Sequence, residues 1–267
     1  MTIEPKGRVA ATASSYEWLP LLVRLTVREP DWLVWKNADA AISGSGDVDS
    51  VAPRRAWGGV TAEFHAWAST TGAGPVTICT HAPGSLVAVA CVGSDRRELA
   101  QLDVYERVGR IGNADTISAA AELDPRGFRR LPPGAEGLLL LLALSRRPGR
   151  RPESPEALER IRSLLRSDPE GAEKAARAVG LGGSLALLGA RAVVEGRWSV
   201  GAMASLELVY AQRAIVEPRQ RLAWLRFRLG RERRCPVLEA LADGRRIRGD
   251  VNAWLRAVGS NHSVFET

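Results

Sequence analysis

The stretch "GDVDSVAP", Gly46–Pro53, decides how the first half of this chain is read. Asp47 and Asp49 stand two residues apart on either side of Val48, and Pro53 stops the run. Residues i and i+2 of a strand share a face, so an extended segment here projects both carboxylates together. Val48 and Val51 are then expected to point the other way, toward a core. The same residues also read as an acidic turn after the Gly-Ser run at Gly44–Gly46. The flanking sequence has to separate the two readings.

Upstream, "SYEWLPLLVRLTV" (Ser15–Val27) spaces its apolar residues as a helix does, with Pro20 in the first turn or at a kink. "DWLVWKN" has the length and composition of a buried strand. Downstream, "RRAWGGVTAEFHAWAST" carries helical periodicity through Trp57, Val60, Phe64 and Trp67. Three strand candidates follow, "PVTICTH", "SLVAVACV" and "LAQLDVYERV", divided by the turn chemistries "APG" and "GSDRRE". Past about Pro125 the texture becomes helical. "SPEALERIRSLLRS" and "DPEGAEKAARAVGL" each open with an N-cap residue, a proline and a glutamate. A long helix is expected over Ala202–Arg228, broken or kinked at Pro218, with two short helices near "CPVLEALADG" and "GDVNAWLRAVG". The fold class expected is α+β. A mixed sheet with flanking helices occupies residues 1–125, and an all-helical domain occupies 126–267.

Bulk properties restrict the function classes. The 267 residues are 45% hydrophobic and 25% charged, which is ordinary globular composition. The longest apolar run, "GLLLLLAL" at Gly137–Leu144, falls well short of the roughly 20 residues that span a bilayer. The N-terminus lacks the apolar core of a secretory signal. Cys79, Cys91 and Cys235 are odd in number and widely spaced, which fits a reducing compartment and no zinc site. A cytoplasmic protein without membrane attachment is expected. The net charge of +7 is unevenly spread: residues 1–120 carry 11 basic and 13 acidic groups, residues 121–267 carry 26 and 17. The carboxylate pair lies in the acidic half, and an anionic partner is drawn to the other.

Paired carboxylates become favourable when a cation sits between them. Hard cations such as Mg²⁺ take carboxylate oxygens and keep water or phosphate oxygens as further ligands. "AQLDVYE" supplies a third carboxylate, Asp103, between Leu102 and Val104 in a strand pattern. If that strand lies beside the first, three carboxylates converge, as two-metal phosphoryl transfer requires. Other chemistries lack their signatures. Val51 cannot supply the next ligand of a calcium loop, and no Gly-Lys-Ser/Thr follows the glycines as a P-loop demands.

In these motifs the sequence resembles the DNA polymerase beta-like nucleotidyltransferase superfamily. "WLVWKN" matches its first strand and turn, "GDVDSV" its paired aspartates and "QLDVY" its third, over roughly residues 16–108. The resemblance implies Mg²⁺, with two ions, held by Asp47, Asp49 and Asp103. It also implies a nucleoside triphosphate such as ATP as donor, and a small molecule, tRNA or protein as acceptor. Asp103 is then the group that orients or deprotonates the acceptor. The family carries Gly-Gly or Gly-Ser about ten residues before the aspartates, where this chain has Lys36-Asn37. Lys36, Asn37, Gly46 and Arg54 are therefore the expected nucleotide contacts. The departure keeps open a second expectation, a non-catalytic RNA- or protein-binding module on the same fold.

Further residues have two readings each. His81 and Glu106 lie near strand ends where a substrate would sit, or are simply solvated. His65 is expected to pack on its helix. Arg55 either meets a triphosphate or caps a helix in solvent. "WLRFRLGRERR", Trp224–Arg234, interleaves aromatics with arginines, which suits either a helix core or an RNA-binding stripe.

Overall fold

The computed structural model describes residues 17–43, 47–80, 83–92, 98–108, 112–144, 154–180 and 182–216, then Leu222, 238–242 and 245–249. The first periodic segment forms helix α1 (Leu19–Arg28), which buries Leu21, Leu22 and Leu25 on one stripe. Pro20 lies in its first turn, where a missing N–H costs nothing. Strand β1 (Leu33–Lys36) follows, then a short helix α2 (Ala38–Ile42) and strand β2 (Val48–Val51). A single 3₁₀ turn at Arg54–Ala56 leads into α3 (Trp57–Thr70), which buries Val60, Phe64, Trp67 and Ala68. The expected meander is present as β3 (Val76–Cys79), β4 (Ser85–Val92) and β5 (Glu98–Tyr105), all antiparallel neighbours.

Small elements complete this half: a two-strand ribbon of β6 (Arg107–Val108) and β7 (Gly112–Asn113), helix α4 (Ala114–Ser118), then β8 (Glu122–Leu123) and β9 (Arg129–Arg130). The helical half contains α5 (Pro133–Leu144), α6 (Pro155–Ser167), α7 (Pro169–Val179), α8 (Gly183–Val194) and α9 (Val200–Val216). Both expected caps are formed: Ser154 Oγ accepts from Ala157 N, and an Asp168 carboxylate oxygen accepts from Gly171 N. α5 is apolar almost throughout and is buried on nearly every side, as a central helix must be. Gly134 lets α7 approach it, since a Cβ there would lie 1.7 Å from the Asp168 carbonyl oxygen.

The fold is α+β around a mixed sheet. Its order runs β11-β10-β3-β4-β5-β2-β1-β9-β8, where β10 is Leu238–Ala242 and β11 is Arg245–Gly249. Among the described strands, only the β2–β5 and β1–β9 pairs are parallel. The sheet thus takes strands from both sides of residue 125. Where a short helix was expected near "CPVLEALADG", β10 pairs instead with β3 and β11. Leu, Glu and Ala favour helix locally, but pairing along a sheet edge overrides a preference of tenths of a kcal/mol per residue. The Asp243-Gly244 dipeptide between the two strands is a hairpin signal that the helical spacing concealed. The expected helix near "GDVNAWLRAVG" and the end of the long helix past Val216 lie outside the described residues, Leu222 apart.

Two apolar cores occupy the two faces of the sheet. On one, α1 and α3 cover Val34, Val48, Leu102 and Val104; Trp18 stacks on Trp67 with ring centroids 5.0 Å apart. Burying each large side chain there contributes about 1.5–3 kcal/mol. On the other, Leu33, Trp35 and Val51 join the core formed with α4 to α9. Val51 therefore faces the opposite way from Val48, correcting the expectation that they share a side. Strict alternation puts Val51 on the face of Asp49.

Candidate active site

β2 lies between β5 and β1, and the two registers assemble the site. In the parallel pair, Asp49 stands directly beside Asp103. Neighbouring strands are about 4.8 Å apart, so two carboxylates 54 positions apart in sequence project from adjacent points on one face. That face is the one covered by α4 to α9, because Asp49 alternates with Val48 and shares the side of Val51. Asp47 precedes the strand by one residue and is exposed. Asp49 is 7% exposed and Asp103 is half-buried.

The three carboxylates feel one another. Burial pushes the Asp49 carboxyl above its usual range, as do the nearby Asp103 and Asp47 charges, while Lys36 opposes the rise. Asp47 is exposed as a residue, but partial loss of solvent around its carboxyl raises it first and the Asp103 charge second, again opposed by Lys36. Asp103 is held by two donors from its own strand: Gln101 Nε2 donates to Oδ1 at 2.9 Å and the Tyr105 hydroxyl to Oδ2 at 3.1 Å. Burial and then the Asp103 charge push the Tyr105 phenol upward, so it stays a hydrogen-bond donor. Gln101 and Tyr105 were not anticipated, although the i±2 rule applied to Asp103 would have found both.

Lys36 occupies the position that the resemblance leaves to a small residue. It is the antiparallel partner of Asp49, and its Nζ lies 3.0 Å from Asp49 Oδ2. The pairing register slips between Val34 and Lys36. Such an irregularity re-aims a side chain, and here Lys36 reaches Asp49 while its neighbour Trp35 enters the core on the same side. Lys36 Nζ also sits 5.1 Å from the centre of the Trp35 ring. Asn37 has φ 58°, the only non-glycine among the described residues with positive φ. Asparagine is one of the few residues that take this conformation readily, so Asn37 makes the turn for which glycine is the usual solution. The Asn37 N–H donates to Glu136 on α5 at 3.2 Å. Burial pushes the Glu136 carboxyl up, opposed by Asn37 N–H and by the ion pair with Arg160. No local signal pointed to Glu136, which lies 99 residues away.

The other expected contacts lie elsewhere. Arg54 pairs with Glu106 Oε2 at 2.9 Å and lies 5.5 Å from the Trp57 ring centre. It follows the C-terminal end of β2, whereas Asp47 precedes the N-terminal end; at about 3.3 Å per residue the four-residue strand separates them by over 10 Å. Arg55 bridges Asp31 and Asp115 at the surface. His65 is half-buried on α3. Gly46, His81 and the Trp224–Arg234 stripe lie outside the described residues. Two shallow depressions among the described residues, one on α6 and one around Leu188, Arg191 and Trp198, are distant in sequence from the carboxylates.

Two carboxylates on one face, with a third just outside the strand, are the donor type that a hard cation requires. As the side chains stand, however, Lys36 engages Asp49 and both Asp103 oxygens accept hydrogen bonds. Among the described residues no three acidic, histidine or cysteine side chains are grouped to hold a metal ion. No helix among them is long and apolar enough to cross a membrane. Fold and site together define an α+β chain with a carboxylate–lysine cluster beside a helical layer. No family model matches the chain, and no curated protein or solved structure does so either.

Proposed function

We propose that this chain is a Mg²⁺-dependent nucleotidyltransferase that moves a nucleotidyl group from a nucleoside triphosphate to a hydroxyl or phosphate acceptor. The observation that carries the reading is the parallel register of β2 and β5, which sets Asp49 beside Asp103 with Asp47 one residue outside the strand. Asp47, Asp49 and Asp103 would hold the cation. A bound divalent ion there would neutralise charge on the triphosphate and on departing pyrophosphate. Asp103, which accepts hydrogen bonds from Gln101 and Tyr105, would also accept one from the acceptor hydroxyl. Lys36 and the Asn37 turn would meet the phosphates, since the Lys36 ammonium contacts the cluster at Asp49. The acceptor is a small molecule, a tRNA or a protein.

A second reading is favoured by the Lys36–Asp49 contact itself. An ion pair that satisfies Asp49 from within suits a binding module that performs no chemistry. Titration calorimetry of the protein with ATP, GTP, CTP and UTP, with and without Mg²⁺, separates the two. The enzyme reading expects magnesium-dependent binding of at least one triphosphate, abolished by Asp103→Asn with the fold intact by circular dichroism. Absence of binding by all four would refute it.

A further inference from the structure

The Lys36–Asp49 contact has the features of a counter-ion that can be exchanged. The backbone beneath Lys36 is fixed on both sides: β1 pairs with β2 at this residue, and Asn37 is tied to Glu136. The side chain above it is a flexible four-carbon stem carrying a point charge. It is 27% exposed, against 10% for the Asp49 side chain, so the ammonium has a route to solvent while the carboxylate has little. If Lys36 left, Asp49 would face Asp47 and Asp103 with no positive group bound to it, an arrangement that like charges resist. A cation beside the ionised cluster relieves that repulsion, and the Lys36 ammonium is in contact with it.

We propose that the Lys36 ammonium is the resident counter-cation of the Asp47–Asp49–Asp103 cluster. It excludes a free divalent ion and yields the position only when a polyphosphate arrives to receive it. The exchange conserves charge locally: the ammonium moves from carboxylate to phosphate oxygen as the divalent ion takes its place on Asp49. Metal and polyphosphate then enter together or not at all. This second part rests on the nucleotidyltransferase reading, whereas the resident role of Lys36 does not.

The chain has only three lysines, Lys6, Lys36 and Lys174, which makes the test direct. Mn²⁺ binding is measured by electron paramagnetic resonance on the native protein, on Lys36→Met and on Lys36→Met/Asp49→Asn. The native protein is expected to bind free Mn²⁺ at least about tenfold more weakly than Lys36→Met, a difference near 1.4 kcal/mol. The double variant is expected to lose that gain. Should Lys36→Met fail to fold, the folded native protein is acetylated instead. That treatment is expected to create Mn²⁺ binding, while acetylated Lys36→Arg, modified at every amine except position 36, gains none. Equal Mn²⁺ affinity in native and neutralised proteins would overturn the resident role. Adding inorganic tripolyphosphate to the native protein is expected to recruit Mn²⁺; failure to do so, with the acetylation result intact, would overturn the coupled entry alone. The nucleoside triphosphate titrations judge the enzyme reading separately.

Discussion

A double-mutant cycle on Lys36 and Asp49 probes the energetic centre of the site. The perturbations are Lys36→Met, Asp49→Asn and the pair together, each close to its parent in volume. At 3.0 Å and an effective dielectric of about 20, two unit charges attract by about 5 kcal/mol. Most of that is offset by desolvation, because the Asp49 side chain is only 10% exposed and burial already pushes its carboxyl upward. A coupling energy of about 1–3 kcal/mol remains, measured at pH 7 by urea unfolding followed by tryptophan fluorescence. The exposed Arg55–Asp31 pair, at 2.8 Å, is the control. Its shorter distance would make it the stronger pair if distance alone governed, yet solvent should leave it much weaker. A Lys36–Asp49 coupling no larger than that of Arg55–Asp31 would refute the assignment of Lys36 as the partner of Asp49.

Three further outcomes are expected. Asp168 accepts from Gly134 N and Gly171 N, both at 2.9 Å, so it caps the starts of two helices at once; Asp168→Ala should cost about 2–3 kcal/mol in chemical unfolding, beyond the roughly 1 kcal/mol of an ordinary cap. Asp124, 3% exposed, is held below the usual carboxylate range first by its hydrogen bond from Arg126, and Arg130 also pairs with it. Its stabilisation is present above the unfolded-state pKa and lost as pH falls through the lower folded value. Asp124→Asn should accordingly cost about 2–4 kcal/mol at pH 7 and less in acid. Glu136 has the opposite sign, since burial raises its carboxyl above the ordinary 4.5. Its contribution to stability is fullest below that value and declines as pH rises through the folded pKa, and Glu136→Gln should flatten this part of a Tm–pH profile.

What could be read from the chain and what could not divides by distance along it. Helix periodicity, the Ser154 and Asp168 caps and the alternation in β4 and β5 depend on neighbours within about four residues, and all were legible. The i and i+2 rule drew attention to Asp47 and Asp49, but only Asp49 lies within the strand, and Asp47 precedes it. Where two local signals competed, as in Leu238–Ala242 with its helix-favouring residues beside an Asp-Gly sequence signal, pairing with the sheet chose between them.

The sequence alone thus determined most elements, their order and the three aspartates worth examining. Tertiary structure alone decided that Asp49 sits beside Asp103, because a parallel register is set by pairing between segments joined through a helix and two strands. It also decided that Lys36 reaches Asp49, because a slip in strand register turns its side chain there, and that α5 anchors the Asn37 turn from 99 residues away. Such contacts are fixed by which buried polar groups find partners once the layers close, and adjacency in the sequence carries no record of that choice.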